Sequence, residues 1–240
     1  MDRLYIVLPA YNEEDAIEKV VLSWYECLSF ASEGSRIVVA DSGSKDHTHD
    51  ILLSIQKTHP KLVILDNKLT THGPKLIALY KYAIDSGADF IFQTDSDGQT
   101  NPSEFEAFWK KRNQYDALMG FRRKRGDGFA RKIVEKVVCI LLRLYFGVSV
   151  PDANAPFRLM KAEAVGKYMH MFREDYNLPN IMLTTFFAYY GDRLAFKEIS
   201  FGARKTGKNS INIPKIVKIG WKALSDFRAF KKKMKQSKRK

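Results

Sequence analysis

The chain has 240 residues, of which 45% are hydrophobic and 28% are charged, and its formal net charge is +13. This is an ordinary globular composition, sufficient for one large α/β domain whose core needs no disulfide bonds. The positive charge indicates an anionic partner, such as nucleic acid, lipid headgroups or a phosphorylated substrate.

The two cysteines and the N-terminus bear on the cellular location. Cys27 and Cys139 lie in apolar stretches, which indicates reduced core residues of a cytosolic protein. The first residues lack the pattern of a signal peptide, and no apolar run approaches the roughly 20 residues of a membrane-spanning helix. We therefore expect a cytoplasmic protein that does not itself cross a membrane.

Short apolar, β-prone runs alternate with amphipathic segments over the first hundred residues. The predicted strands are residues 4–8, 36–40, 62–65 and 89–93, and the predicted helices are residues 15–30, 46–57 and 73–86. Pro9 is expected to end the first strand, and the polar segment 12–15 to cap the first helix. This alternation predicts an α/β fold, with a doubly wound, mostly parallel sheet flanked by helices.

The second half of the chain continues the mixed pattern. Helices are predicted at residues 103–112, 129–146, 161–169 and 180–191, and strands at residues 117–120, 157–160 and 194–199. A final helix begins near Pro214, and no linker rich in Pro, Gly or Ser precedes it. We expect one domain over residues 1–213, followed by a basic amphipathic helix and tail over residues 214–240.

Three polar segments follow the predicted strands, at residues 9–13, 41–44 and 95–97. Ligands of doubly wound sheets bind beyond the carboxyl ends of the strands, so the three segments should share one edge. Asp95 and Asp97 form an Asp-x-Asp pair, and Mg²⁺ or Mn²⁺ takes a few carboxylates together with phosphate oxygens. The alternatives are that the acids belong to an ordinary turn, and that Asp41 caps the second helix.

The sequence contains neither of two common nucleotide-binding motifs. No G-x-G-x-x-G follows the first strand, which argues against a dinucleotide enzyme, and no G-x-x-x-x-G-K-[ST] is present, which excludes a P-loop NTPase.

In this order, the polar segments resemble those of the GT-A glycosyltransferases of family 2. Residues 9–14 (PAYNEE), 39–48 (VADSGSKDHT) and 95–97 (DSD) resemble the donor-binding motifs of that family. Residues 120–122 (GFR), 152–158 (DANAPFR) and 204–207 (RKTG) resemble G-S-R, D-x-x-S-G-F-R and R-x-x-G of its dolichol- and polyprenyl-phosphate mannose synthase branch. The resemblance covers about residues 4–220 and implies a GT-A catalytic domain over residues 1–213.

The resemblance also implies roles for single residues. The residues that would bind the nucleoside are Pro9, Tyr11, Glu13 and Asp41. Asp95 and Ser96 would lie along the ribose and diphosphate, and Asp97 and Gln99 would bind Mg²⁺ or Mn²⁺. The arginines that would face the diphosphate or an acceptor phosphate are Arg122, Arg131 and Arg204.

Two positions depart from the family pattern. Ala155-Pro156 stands where the family has Ser-Gly, and Ser210 stands where it has a lysine, which Lys208 would replace. These changes concern the acceptor and the sugar more than the chemistry of the donor.

The acceptor is the least determined partner. A phosphate is already an anion and needs positive charge around it, whereas a sugar hydroxyl needs a carboxylate base. The five Lys or Arg residues within 122–131 favour a polyprenyl phosphate over a glycan or glycolipid hydroxyl. For a hydroxyl, the candidate bases are Asp152, Glu174 and Asp175.

The C-terminal segment indicates a membrane surface. Basic residues interleave with apolar residues at helical spacing, and these are Ile216, Val217, Trp221, Leu224, Phe227 and Phe230. Such a helix can lie in a membrane interface, and the alternative is a helix packed on the domain. We expect peripheral attachment at the cytosolic face, through this helix and the helix that includes residues 133–146. The sequence leaves open a membrane-protein partner subunit.

The leading hypothesis is thus a metal-dependent, inverting transfer of a hexose from a GDP- or UDP-sugar to a polyprenyl phosphate. A basic module that binds nucleic acid or membrane is the non-enzyme alternative. Nucleic acid is not an expected partner, because the basic loop lacks interleaved aromatic residues and no DNA-reading motif is present.

Overall fold

A seven-stranded sheet forms the centre of the computed structural model, which describes residues 1–65, 69, 71–123, 129–203 and 213–237. The strands are β1 (Leu4–Ala10), β2 (Arg36–Asp41), β3 (Leu62–Leu65), β4 (Phe90–Thr94), β5 (Ala117–Phe121), β6 (Phe157–Lys161) and β7 (Leu194–Glu198). The helices are α1 (Ile17–Glu26), α2 (Thr48–Thr58), α3 (His72–Asp85), α4 (Phe105–Trp109), α5 (Phe129–Phe146), α6 (Ala162–Met169), α7 (Pro179–Tyr190) and α8 (Ile213–Ser237). Within α5 and α8, the side chains of residues 129–131, 213–222 and 237 lie outside the description.

The strand order is β3-β2-β1-β4-β6-β5-β7. The first four strands are parallel to one another, whereas β6 runs antiparallel to both β4 and β5. Strand β7 returns parallel to β5 at the edge. The predicted α/β class with a mostly parallel sheet is confirmed, and the strand order changes direction between β1 and β4. That change leaves a crevice beyond their carboxyl ends, where such folds bind ligands.

Both faces of the sheet are covered, as a parallel sheet requires. On one face, α1, α2 and α4 bury Trp24, Phe92, Phe105 and Phe157 in contact with one another, with ring centroids 4.7–6.2 Å apart. On the other face, α3, α6 and α7 form the second core with the C-terminal part of α5 and with α8. Because β1 and β4 are buried on both faces, they appear in the sequence as continuous apolar runs.

Strand β1 continues past the proline that was predicted to end it. Pro9 and Ala10 still pair with Ala40 and Asp41 of β2. The pairing of β1 with β4 stops earlier, at Val7 and Gln93. Pro9 therefore lies where β1 has only one neighbouring strand, a position at which a missing N–H is tolerated.

Helix α1 begins later than predicted, at Ile17, and no side chain caps it. The polar segment 12–15 bonds to the loop after β2 instead of capping the helix, since the Asn12 side chain accepts a hydrogen bond from the Lys45 N–H at 2.8 Å. The predicted helix 103–112 is also interrupted, because 3₁₀ turns flank the short α4.

The described part of α8 packs on the domain. Ala223, Phe227, Phe230 and Met234 are each at most 7% exposed. The Phe227 ring lies 5.6 Å from Phe146, and Phe230 lies 5.1 Å from Tyr176. The expectation that Phe227 and Phe230 face a membrane is therefore wrong for this arrangement, because the two rings fill the core. Ile216, Val217 and Trp221 lie outside the described side chains.

No helix within the described ranges is both long enough and apolar enough to cross a membrane.

Candidate active site at the carboxyl edge of the sheet

The three polar segments predicted to share one edge are bonded to one another. Ser96, after β4, donates a hydrogen bond to the Pro9 carbonyl at 2.8 Å. Lys75, in the first turn of α3, donates to the Ala10 carbonyl at 2.6 Å and to the Ser42 carbonyl at 2.9 Å. These contacts join the ends of β1, β2 and β4 around one crevice.

The loops after β1 and β2 interlock through side chains. The Asn12 N–H donates to Ser44 Oγ at 3.0 Å, and the Glu13 N–H donates to Thr48 Oγ1 at 2.8 Å. Asn12 has a φ of 54°, a left-handed conformation that asparagine tolerates better than most residues. The pairing fixes the loop that carries Tyr11, a residue that is 42% exposed and so accessible to a ligand.

Asp41 lies buried at the end of β2, with one carboxylate oxygen directed to each of two neighbours. Ser44 donates to its Oδ1 at 2.5 Å, and a ring nitrogen of His49 lies 3.2 Å from its Oδ2. Asp41 is thus held in place within the crevice rather than capping α2, whose first N–H is bound by Asp46.

Lys75 is a functional candidate that the sequence did not reveal. Its side chain is 1% exposed, its ammonium lies 5.4 Å from the centre of the Tyr11 ring, and burial lowers its pKa. Its two carbonyl partners immediately precede Tyr11 and immediately follow Asp41. The sequence contains one signal for it, a charged lysine in the first turn of a helix whose remaining buried residues are mostly apolar.

The two acids of the Asp-x-Asp pair lie in a bend, since β4 ends at Thr94. Asp95 Oδ1 accepts a hydrogen bond from the Gln93 side chain at 3.3 Å, and Asp97 Oδ1 accepts one from the Gln99 N–H at 3.1 Å. Asp95 and Asp97 therefore have separate surroundings.

The surroundings of Asp97 fit a divalent ion that shares its ligands with a substrate. Gln99 is buried, and its side-chain amide donates to the Gly202 carbonyl at 2.7 Å, which orients it beside the half-buried Asp97. Over the part of the chain that the structure describes, no three His, Cys, Asp or Glu side chains are grouped so as to bind a metal. Two protein ligands plus phosphate oxygens match the coordination habits of Mg²⁺, which rarely binds in an all-protein cage.

Arg122, predicted to face a phosphate, forms a buried bidentate ion pair. Its Nε and Nη2 donate to the two oxygens of Asp152 at 2.7 and 3.0 Å, and its guanidinium lies 5.0 Å from the Phe201 ring. Glu135 of α5 lies 3.7 Å from the same guanidinium and accepts the Ala153 N–H at 2.8 Å. Burial and the Asp152 carboxylate raise the pKa of Glu135 to about 7. Glu135 is thus a second acid beside Asp152 at this site, and it was not predicted from the sequence.

This ion-pair cluster forms the floor of a cavity of about 590 Å³ between β5, α5 and the segment after α5. Arg123, Lys132 and Lys136 contribute positive charge, and Phe121, Cys139, Ile140 and Pro151 contribute apolar surface. The volume is that of an ordinary small-molecule site. Burial raises the pKa of the Cys139 thiol to about 12, so this cysteine is not a nucleophile at neutral pH.

Three predicted site residues lie outside the described part of the structure. They are Arg204 and Lys208, and Arg131 as far as its side chain is concerned.

The family model for glycosyl transferase family 2 matches residues 5–169, which include all three interlocked segments. The chain belongs to glycosyl transferase family 2.

Two curated relatives are undecaprenyl-phosphate 4-deoxy-4-formamido-L-arabinose transferases. The protein of Pectobacterium carotovorum subsp. carotovorum is 24% identical over 185 residues, covering 75% of this chain and 55% of its own length. The protein of Serratia proteamaculans is 20% identical over 218 residues, covering 90% of this chain and 65% of its own length. The chain thus spans little more than half the length of the first of these relatives.

Solved family structures share the fold. Glucosyl-3-phosphoglycerate synthase from Mycobacterium tuberculosis, crystallised with Mn²⁺ and UDP-glucose, superposes with a TM-score of 0.69 at 18% identity, covering 95% of this chain and 79% of that one. A mannosyltransferase from Pyrobaculum calidifontis, in complex with GDP-mannose and Mn²⁺, superposes with a TM-score of 0.61 at 18% identity. The match covers 86% of this chain and 58% of the mannosyltransferase chain. This agreement confirms the GT-A fold.

Proposed function

We propose that this family 2 chain is an inverting, metal-dependent glycosyltransferase. It would transfer a hexose from a GDP- or UDP-sugar to a polyprenyl phosphate at the cytosolic face of a membrane. The observation that carries the proposal is the bonded junction of the three polar segments at the crevice between β1 and β4. Relatives named as undecaprenyl-phosphate sugar transferases, and solved structures with bound nucleotide-sugars, support the choice of donor and acceptor.

The donor's nucleoside would occupy the crevice between the loops after β1 and β2. The Tyr11 ring offers a face for the base, and Asp41 offers a carboxylate that accepts hydrogen bonds from the base or ribose. Glu13 and Ser96 line the same junction through their bonds to Thr48 and Pro9. Because these loops are bonded before a ligand arrives, little conformational entropy is lost on binding.

The diphosphate would extend toward Asp97 and Gln99, which would hold Mg²⁺ or Mn²⁺. When bound, the ion acts as a Lewis acid that stabilises negative charge on the leaving nucleoside diphosphate. Asp95, which accepts a hydrogen bond from the Gln93 side chain, would orient the nucleotide. A single in-line displacement at the anomeric carbon, without a covalent sugar intermediate, inverts its configuration.

The acceptor phosphate would bind in the cavity beside α5. Arg123, Lys132 and Lys136 supply positive charge there, which offsets the repulsion between an acceptor phosphate and the donor diphosphate. A phosphate oxygen is ionised near neutral pH, so the transfer needs no base. The apolar residues of the same cavity, Ile140 among them, suit the first isoprene units of a lipid.

Glu135 favours a second candidate function, transfer to a glycan or glycolipid hydroxyl. A carboxyl whose pKa is raised to about 7 is well matched to general-base catalysis near neutral pH. The two candidates differ in the response to Glu135→Gln. Transfer to a phosphate would keep most of its kcat, whereas transfer to a hydroxyl would lose about a hundredfold or more.

The outer face of α5 would lie on the membrane. Ile133, Val137, Ile140 and Leu144 are 46%, 48%, 58% and 72% exposed, and their spacing places them on one stripe of the helix. The exposed charges Lys132, Lys136 and Arg143 lie on the same helix. An apolar stripe beside basic side chains suits an anionic lipid surface, and it adjoins the cavity through Ile140. Of the two helices expected at the membrane, α5 has this exposed stripe, whereas Phe227 and Phe230 of α8 are buried.

A transfer assay with membranes tests the activity. UDP- and GDP-sugars are supplied with and without Mn²⁺, and we expect a lipid-extractable, acid-labile product that forms only with the ion. Asp97→Ala should reduce transfer by about a hundredfold or more, while Asp50→Ala, an exposed acid on α2, should leave it unchanged. Equal activity of Asp97→Ala and the wild type would show that the metal assignment is wrong.

Vesicle sedimentation tests the membrane contact separately. Leu144→Glu should reduce binding to vesicles that contain phosphatidylglycerol by roughly tenfold. Leu53→Glu is the control, because Leu53 is another exposed leucine, 43% exposed, on α2. If both substitutions reduce vesicle binding equally, α5 is not the contact surface.

A further inference from the structure

A chain of buried hydrogen bonds runs from the acidic pair into helix α7. The side-chain amide of Gln93 donates to Asp95 Oδ1 at 3.3 Å, and the side-chain amide of Asn180 donates to the side-chain oxygen of Gln93, Oε1, at 3.1 Å. The Tyr80 hydroxyl then donates to the Asn180 oxygen at 2.8 Å. Gln93, Asn180 and Tyr80 are each at most 3% exposed, so the chain lies beneath the crevice and out of contact with solvent.

The same helix bonds to the acceptor side of the site one turn later. The Thr184 hydroxyl lies 3.0 Å from the Ala153 carbonyl and 2.9 Å from the Asn180 carbonyl of its own helix, so the two carbonyls share its single proton. The same hydroxyl accepts a hydrogen bond from the buried Arg158. Ala153 follows Asp152, the partner of Arg122, and its own N–H is bound by Glu135. Thr184 therefore supports the segment on which the ion pair of the cavity depends.

Helix α7 is otherwise largely apolar around its whole circumference, so its three buried polar side chains, Asn180, Thr184 and Thr185, are costly unless they are bonded. Asn180 and Thr184 are four residues apart and so lie on the same face of the helix. Asn180 contacts Gln93 on the side of the proposed donor site, and Thr184 contacts Ala153 on the side of the proposed acceptor site. An in-line displacement needs the two reactants at a fixed distance and angle, and displacement by about 1 Å can cost a hundredfold in rate.

We propose that Asn180 and Thr184 are positioning residues that fix the donor side of the site relative to its acceptor side. Asn180 acts on Asp95 through Gln93, and Thr184 acts on Asp152 through the backbone of Ala153. Neither would touch a substrate. The inference rests on the proposed function and adds to it residues from a helix that contributes no motif.

The test uses paired threonine variants. Thr185 is as buried as Thr184, but among the described residues its hydroxyl bonds only to the Ile181 carbonyl of its own helix, whereas Thr184 also contacts Ala153 and Arg158. Thr184→Val should raise the acceptor KM or lower kcat by about tenfold, and Thr184→Ser, which keeps the hydroxyl, should restore wild-type values. Thr185→Val should leave both constants unchanged at a similar cost in melting temperature. Equal kinetic effects of Thr184→Val and Thr185→Val would overturn the role of Thr184.

Nucleotide affinity, measured by calorimetry with UDP or GDP and Mn²⁺, tests Asn180 without turnover. Asn180→Leu should weaken nucleotide binding by about tenfold. The double variant Asn180→Leu/Gln93→Leu should bind only slightly more weakly, because both substitutions break the same hydrogen-bonded path to Asp95. Additive losses, or unchanged affinity in a folded Asn180→Leu protein, would overturn the role of Asn180. If Asn180→Leu does not fold, Tyr80→Phe, which removes one hydroxyl, should weaken binding in the same direction. A wild-type protein that binds no nucleotide would instead contradict the proposed function, and the positioning roles with it.

Discussion

Single buried charges determine how the site is organised. Lys75 and Asp41 are buried at the crevice, and Arg122 pairs with Asp152 at the floor of the cavity. Burying such groups is costly unless hydrogen bonds or opposite charges compensate, so each of them constrains the loops to which it is bonded. Substitutions at these residues should therefore affect ligand binding and stability together.

Replacing Lys75 with methionine should weaken nucleotide binding by about tenfold and destabilise the fold by about 1–3 kcal/mol. The substitution leaves the Ala10 and Ser42 carbonyls without their donor and releases the loops that carry Tyr11 and Asp41. Calorimetric titration with UDP and GDP, together with urea unfolding, measures both effects.

Lys81→Met is the control for Lys75→Met. Lys81 lies on the same helix but is solvent-exposed and pairs with the exposed Glu174. Its substitution should change neither quantity. If the two variants lose equal nucleotide affinity, Lys75 has no special role in the crevice.

Glu135 should make the stability of the protein depend on pH. Its pKa in the folded state, about 7, exceeds the ordinary 4.5, so the folded state binds the proton more tightly than the unfolded state. The contribution of Glu135 is therefore most favourable at low pH and is lost as the pH rises from about 4.5 to about 7. By linkage the loss is at most about 3 kcal/mol.

Glu135→Gln should remove this dependence, because glutamine does not titrate. The measurement is the difference in unfolding free energy between the variant and the wild type at about pH 5 and at about pH 8. We expect the variant to gain relative to the wild type at the higher pH. A difference that does not change with pH would contradict the raised pKa.

At the scale of elements, the two long helices, which were both expected at the membrane, differ in what covers their apolar side chains. Ala223, Phe227, Phe230 and Met234 of α8 are buried, whereas α5 presents an exposed apolar stripe. Periodicity marks both helices as amphipathic, but it does not say whether the apolar face meets protein or lipid. Packing against Phe146 and Tyr176 decides the matter for α8.

Phe227→Ala should destabilise the domain by about 3–5 kcal/mol, because it removes a ring that is 1% exposed and leaves a cavity. Arg228→Ala, at the neighbouring exposed position, should change stability by less than about 0.5 kcal/mol. Urea unfolding of both variants measures the difference. Equal, small effects would show that α8 is an appendage, as the division at residue 213 assumes, and not part of the core.

At the scale of the whole molecule, the charge of +13 favours a long-range attraction to anionic surfaces. The attraction should weaken with salt, because the screening length falls from about 10 Å at 0.1 M to about 3 Å at 1 M. Sedimentation with phosphatidylglycerol vesicles should therefore show most of the binding lost at the higher salt concentration. Binding that does not change with salt would indicate that the apolar stripe alone makes the contact.

Much of this organisation could be predicted from the sequence because local patterns carry it. Continuous apolar runs predicted β1 to β4, and polar residues after three of these strands predicted that Tyr11, Asp41 and Asp97 would share an edge. The bounds of β3 and α5 agree with the prediction at both ends. Motif residues can be predicted from the sequence because each follows the end of a strand, and the apolar run of that strand already indicates where it ends.

Other features depended on partners distant in sequence, and only the tertiary structure decided them. The antiparallel insertion of β6 between β4 and β5 follows from long-range pairing and leaves no local signal. Lys75, Glu135 and Asn180 look like ordinary helical residues until the helices are packed. The sequence by itself determined the family, the α/β class and the edge of the sheet that carries the motifs, because strand and motif patterns are local. The fold decided which charges are buried together and which apolar face remains exposed, because burial depends on all the elements that pack around a residue.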